Sequence, residues 1–242
     1  MKMTAGIFGA VVMAAFGTYY FRNKKRNRKQ ALLCKVLATA VPGILLLGYL
    51  YGTCTGESAG SIVSGWADGV TSRAAFAGTL AAIVFYMAAD VLLECRFVWG
   101  AVSFGVGHIC MAAGFLLSGE TVLVWKKSGG CSVDAGLLGL TLAVCAVFVA
   151  AAWAALHRYF HSLKKKKLLY PLLAYVLVLS MMAALAVTAG GVVPASGGLC
   201  FAVSDVLLGR NRLGKHRSKM RGALVLILYY AAVYLFAMRL WM

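Results

Sequence analysis

A chain of 242 residues that is 62% hydrophobic and only 13% charged, with a mean hydropathy of +0.84, leaves no stretch long and polar enough for a soluble domain. Seven acidic residues face 24 Lys and Arg, giving a net charge of +17, but the cations stand in short runs between apolar stretches. That arrangement excludes nucleic acid as a partner, which would need a basic face with interleaved aromatics.

Apolar length, punctuated by Gly, Pro and charge, predicts eight membrane helices, at about residues 4–21, 31–51, 74–93, 97–118, 134–156, 168–188, 192–209 and 222–241. The expected fold is an all-α membrane bundle forming one domain over residues 1–242. The first span follows Lys2 and runs straight into the basic run Arg22 to Lys29 with no small-residue cleavage site, so it reads as a helix and not as a signal peptide. The second span opens with Lys35. The third contains Ala81 to Leu93 (AAIVFYMAADVLL) and carries Asp90 into apolar surroundings; Glu94 and Arg96 follow in a tight turn and are expected to be solvated. The fourth holds His108 near its middle, among the small residues of GVGHICMAAG. After the fifth comes a basic loop with KKKK at 164–167, and the sixth starts at Tyr170 and Pro171. The seventh contains Gly198 to Arg210 (GLCFAVSDVLLGR), which places Asp205 as the third places Asp90. The eighth carries Tyr229, Tyr230 and Tyr234. Pro42, Pro171 and Pro194 are taken to lie towards span ends, leaving no break in mid-membrane.

Nineteen of the 24 Lys and Arg fall on one side of this topology, which predicts that side to be cytoplasmic and both termini extracytoplasmic. The expected location is the cell membrane of a bacterium. Asp90 and Asp205 then sit on two parallel helices at similar depth. Both begin the tetrapeptide DVLL, which suggests a four-plus-four internal repeat. A charge in hydrocarbon costs about 2.5–3.5 kcal/mol on insertion scales, so an intramembrane Asp reads first as a functional group. Tyr86, Asp90 and Glu94 share one helix face, as do Phe201, Asp205 and Leu208, while Ser204 is turned about 100° from Asp205. No CxxC pair or His spacing suits zinc, so neither a metal nor a cofactor is expected. Cys54 and Cys131 fall in predicted loops on the same side, as candidates for a disulfide.

From about residue 31 to 240, KVLATAVPGILLLG, FYMAADVLL, FVWGAVSFGVGHICMAAGFL, YPLLAYVLVLSMM, GGLCFAVSDVLLGRNR and LVLILYYAAVYLFAM, in that order, resemble the YhhN family of eight-helix membrane proteins. The most specific pieces are Asp90, His108, Ser204 with Asp205, and Tyr229 with Tyr230. Ala89 and Val36 depart from the glycine and proline that the family often shows, and neither change removes a titratable group. The resemblance implies a lysoplasmalogenase, which cleaves the vinyl ether bond of lysoplasmalogens.

Such hydrolysis needs an acid to protonate the β-carbon of the enol ether and an anion to stabilise the oxocarbenium ion and orient water. Two carboxyl groups at one depth can divide those roles, since desolvation and repulsion let one keep its proton while the other ionises. Asp90 and Asp205 are the catalytic candidates, with either one as the acid. His108, Tyr229 and Ser204 are candidates for orienting water or a carboxylate, and Lys35 for the lipid phosphate. The substrate class would be a lysophospholipid drawn from membrane lipid. The same two carboxylates would also serve a proton- or cation-coupled transporter, or a buried polar pair that fixes helix packing.

Overall fold

In hydrocarbon a bare peptide group has no partner, so apolar runs of this length must satisfy their backbone as helices. A computed structural model of the chain describes residues 2–55, 70–119, 121–125, 131–165, 167–214 and 218–240. Its helices are α1 (Lys2–Asn23), α2 (Arg28–Thr55), α3 (Val70–Cys95), α4 (Phe97–Leu117), α5 (Ala135–Leu156), α6 (Phe160–Lys165), α7 (Leu169–Thr188), α8 (Val192–Leu213) and α9 (Lys219–Met238). All but the six-residue α6 are long and apolar enough to cross a membrane, eight spans in the expected places. Several helices outrun their apolar stretch. α8 continues to Leu213 and α9 begins at Lys219, because apolar length records the thickness of hydrocarbon while polar residues carry the helix on beyond it.

Three local features depart from the sequence reading. β1 (Leu123–Trp125) and β2 (Cys131–Val133) pair antiparallel between α4 and α5, where a plain loop was expected. The basic loop after α5 contains a 3₁₀ turn and α6. Pro42 lies inside α2, near its middle and not towards its end, so α2 lacks one ladder donor at mid-membrane depth. Cys131 is exposed on β2, while the side chain of Cys54 lies outside the described residues.

Packing follows a ring. α2, α3, α4, α7, α8 and α9 each pack on the next, and α9 closes on α2. α1 leans on α2 and α9 from outside, and α5 on α7 and α8. Number the eight spanning helices in order and exchange the first four with the last four, and most of this pattern maps onto itself. The pairs α1/α2 and α5/α7 exchange, as do α2/α3 and α7/α8, α3/α4 and α8/α9, and α4/α7 and α9/α2. The two DVLL sequences stand on helices that exchange in this pattern, α3 and α8.

Within each half, small residues let two helices approach. A Cβ at Gly78 of α3 would stand 2.8 Å from both the Cys110 carbonyl oxygen and the Gly114 Cα of α4. Only Arg96, in extended conformation (φ −143°, ψ 99°), separates α3 from α4, so the two run back to back from their first turn. Gly78→Leu is expected to destabilise the protein by roughly 1–3 kcal/mol, because the clash is with backbone and no rotamer relieves it. Thermal unfolding in detergent reads this directly, and an unchanged melting temperature would show that α4 can move aside.

Candidate functional site

Asp90 stands one turn from the end of α3, on the face turned to α2 and α9. It is 1% exposed. Its Oδ1 lies 3.1 Å from the Lys35 Nζ of α2. Its Oδ2 accepts from the Thr39 hydroxyl at 2.5 Å and from the Tyr229 hydroxyl of α9 at 3.1 Å. An ammonium and two hydroxyls all donate to this one group, which is the complement of a carboxylate anion. Lys35 is itself buried, with its Nζ 5.5 Å from the centre of the Tyr20 ring and 3.4 Å from the Asp90 carbonyl oxygen.

Asp205 on α8 meets the other half of the ring. The Tyr175 hydroxyl of α7 donates to its Oδ2, and the His108 Nε2 of α4 lies 3.6 Å from the same oxygen. The Tyr175 oxygen is also 3.3 Å from His108 Nε2, and His108 Nδ1 is 3.0 Å from the Tyr86 hydroxyl of α3. A phenol has one proton. Since that of Tyr175 goes to Asp205, its oxygen must accept from His108 Nε2–H, and in the neutral imidazole Nδ1 then accepts from Tyr86. The hydrogen bonds thus run in one direction, from Tyr86 through His108 and Tyr175 to Asp205.

The two clusters occupy the same level. Tyr86 and Phe201, each one turn before its Asp, have ring centroids 5.1 Å apart. Phe201 also meets Tyr229 at 5.6 Å and His108 at 4.6 Å, so a wall of aromatic rings stands between the clusters and touches both. No hydrogen bond joins the two carboxylates among the described residues. Under the exchange of halves, α3 with α2 and α9 becomes α8 with α7 and α4. Lys35 and Tyr229 around Asp90 are therefore matched by Tyr175 and His108 around Asp205.

Of the residues singled out by sequence, Asp90, Lys35 and Tyr229 come together in one cluster and Asp205 and His108 in the other. Ser204 joins neither: its hydroxyl donates to the Val225 carbonyl oxygen at 2.9 Å, tying α8 to α9. Glu94 is not a solvated turn residue. It is half-buried and accepts from the Tyr20 hydroxyl of α1 at 2.7 Å, while Arg28 donates to its carbonyl oxygen at 2.7 Å. Thr39, Tyr175 and the hydroxyl role of Tyr86 escaped the sequence reading. Spacing offers one signal for Thr39, which stands four residues from Lys35 on the same face. Among the described residues no three His, Cys, Asp or Glu side chains converge as a metal set would.

Comparison with curated proteins gave no match, and neither did comparison with solved structures. A protein-family model, that of the YhhN family, matches residues 44–240. This span takes in Asp90, His108, Tyr175, Asp205 and Tyr229, and leaves Lys35 and Thr39 just before it. With most of its length and both carboxylates inside that match, the chain belongs to the YhhN family.

Proposed function

We propose that this membrane protein hydrolyses the vinyl ether bond of lysoplasmalogens, with an ethanolamine or choline headgroup, in the cell membrane of a bacterium. One observation carries the reading. The two carboxylates lie at one level but have unlike partners, Asp90 with donors that hold an anion and Asp205 at the end of a directed hydrogen-bond chain. The division supplies an acid and an anion without requiring the two groups to touch.

In the first step protonated Asp205 gives its proton to the β-carbon of the enol ether, and the electron pair of the double bond forms the new C–H bond. The ether oxygen then shares the positive charge with its neighbouring carbon. Asp90 stabilises this oxocarbenium ion and orients the water that adds to it. The proton released by that water returns to Asp205, with His108 and Tyr175 as the relay. The hemiacetal collapses to a fatty aldehyde and a glycerophospho-alcohol, so the net change is the addition of one water. Lys35 spends two of its three N–H directions on Asp90 and retains one for the lipid phosphate.

Purified protein in detergent, given lysoplasmenyl ethanolamine and lysoplasmenyl choline, is expected to release aldehyde from at least one of them. A folded protein that releases none from either would overturn the reading. A second reading, transport of protons or cations by the same pair, is favoured by Pro42 in the middle of α2 and by the two-fold pattern of helix packing. Ion flux into liposomes without aldehyde release would establish it in place of the first.

A further inference from the structure

Where α5 gives way to its 3₁₀ turn, a small cavity opens against the end of α8. Its volume is ≈ 180 Å³, and it is lined by Ala154, Ala155, Arg158 and Tyr159 on one side and by Arg210 of α8 on the other. Both arginines are exposed, and neither side chain has a hydrogen bond or ion pair with a described residue. Asp205 is the only acid between residues 135 and 242, and it is taken by Tyr175. Two cations therefore share one cavity with no described anion between them, an arrangement that costs Coulomb energy until an anion enters.

The other half of the bundle fills the matching place with an acid of its own. Under the exchange of halves, α5 with α8 becomes α1 with α3. There Tyr20, near the end of α1, donates to Glu94, which stands four residues after Asp90. Tyr20 is followed by Phe21 and the basic run 22–29, as Tyr159 is followed by Phe160 and then by KKKK at 164–167. Four residues after Asp205 stands Gly209, where a Cβ would lie 3.4 Å from the Leu156 Cδ2 of α5. A side chain there would point towards α5 as Glu94 points towards α1, and glycine supplies none. The Tyr159 hydroxyl lies beside the end of α8, 3.5 Å from the place of a Gly214 Cβ, and has no hydrogen-bond partner among the described residues. One joint has a phenol and a carboxylate; the other has a phenol, two guanidinium groups and a space.

We infer that this cavity is a phosphate site, in which Arg158, Arg210 and Tyr159 donate to the phosphate group of an anionic phospholipid of the surrounding bilayer. The fork of a guanidinium matches phosphate oxygens, and phosphate is the abundant anion at headgroup depth. Trp153, 55% exposed and set edge-on to Phe160 at 4.5 Å, marks that depth beside the cavity. Pockets for whole ligands begin at about 300 Å³, so this one takes the charged group and leaves the rest of the lipid outside. A bound phosphate ties α5 to α8 as Glu94 ties α3 to α1. Attachment of α5 to the ring then depends on an anion from outside, whereas α1 is held by one the chain carries. The site is separate from both carboxylate clusters and does not rest on the hydrolase reading.

The test adds dioleoyl phosphatidic acid or sodium phosphate to the full-length protein in detergent, with binding read by native mass spectrometry and by thermal unfolding. The lipid is expected to bind and to raise the melting temperature. Arg158→Gln and Arg210→Gln should each weaken binding about tenfold, the worth of one charge-assisted hydrogen bond. Arg26→Gln combined with Lys29→Gln removes two exposed cations from the loop after α1 and should leave binding unchanged. Gly209→Glu gives the second half the acid of the first, and should abolish binding while the protein still elutes as the wild type does. A shift with the lipid alone makes the ligand a headgroup; a shift with sodium phosphate as well, lost in the two Arg variants, makes a soluble phosphate sufficient. Binding of neither, binding undiminished in both Arg variants, or an equal loss in the Arg26 and Lys29 variant would overturn the inference.

Discussion

Asp205→Asn is expected to lower aldehyde release from a lysoplasmenyl lipid by about 10²–10⁴-fold, the usual worth of a positioned acid. The amide has the shape of the carboxyl group and can still accept from Tyr175, so the variant should fold and melt like the wild type. What it cannot do is give up a proton and take one back. Tyr175→Phe should show a smaller loss of rate, because it interrupts the relay from His108 but leaves the acid in place. A full rate for the Asn variant in a stable protein would remove Asp205 from the chemistry.

Lys35→Met carries the largest expected cost to stability, about 3–5 kcal/mol, because it leaves the Asp90 carboxylate buried without its cation. The penalty comes from the stranded charge more than from the lost contact. Lys35→Met with Asp90→Asn should therefore melt higher than Lys35→Met alone, although two native groups are gone instead of one. Thermal unfolding of the four proteins in detergent gives the coupling directly. If the double variant is the least stable of the set, the pair contributes by packing and not by neutralising charge.

The eight spans were legible because hydrocarbon imposes one rule on every segment, and apolar length reports it without reference to tertiary structure. Asp90 and Asp205 were legible for the same reason, since an acid in such a segment stands out against everything around it. Their partners divide by chemistry. Lys35 and His108 carry charge or potential charge and are conspicuous in an apolar helix, whereas Thr39 and Tyr175 are ordinary constituents of membrane helices. Only the fold shows that Thr39 faces Asp90 across 51 positions of sequence. Glu94 was misplaced because its sequence position suggests a turn open to water, and nothing local reveals that α1 lays Tyr20 over it. Ser204 was drawn in by adjacency to Asp205, although neighbours on a helix point to different sides. Pro42 was misplaced although residue 42 is already central in a span of 31–51, and it can stand there because surrounding helices satisfy the freed carbonyl.

The match to the family begins at residue 44, and the cation for Asp90 lies at residue 35. A fragment trimmed to the matched segment would retain both acids and the whole relay to Asp205, yet it would carry Asp90 into the bilayer uncompensated. Thr39 would be missing as well. For Asp90 the relevant boundary is thus electroneutrality and not sequence similarity, and a piece that keeps its cation begins no later than Lys35.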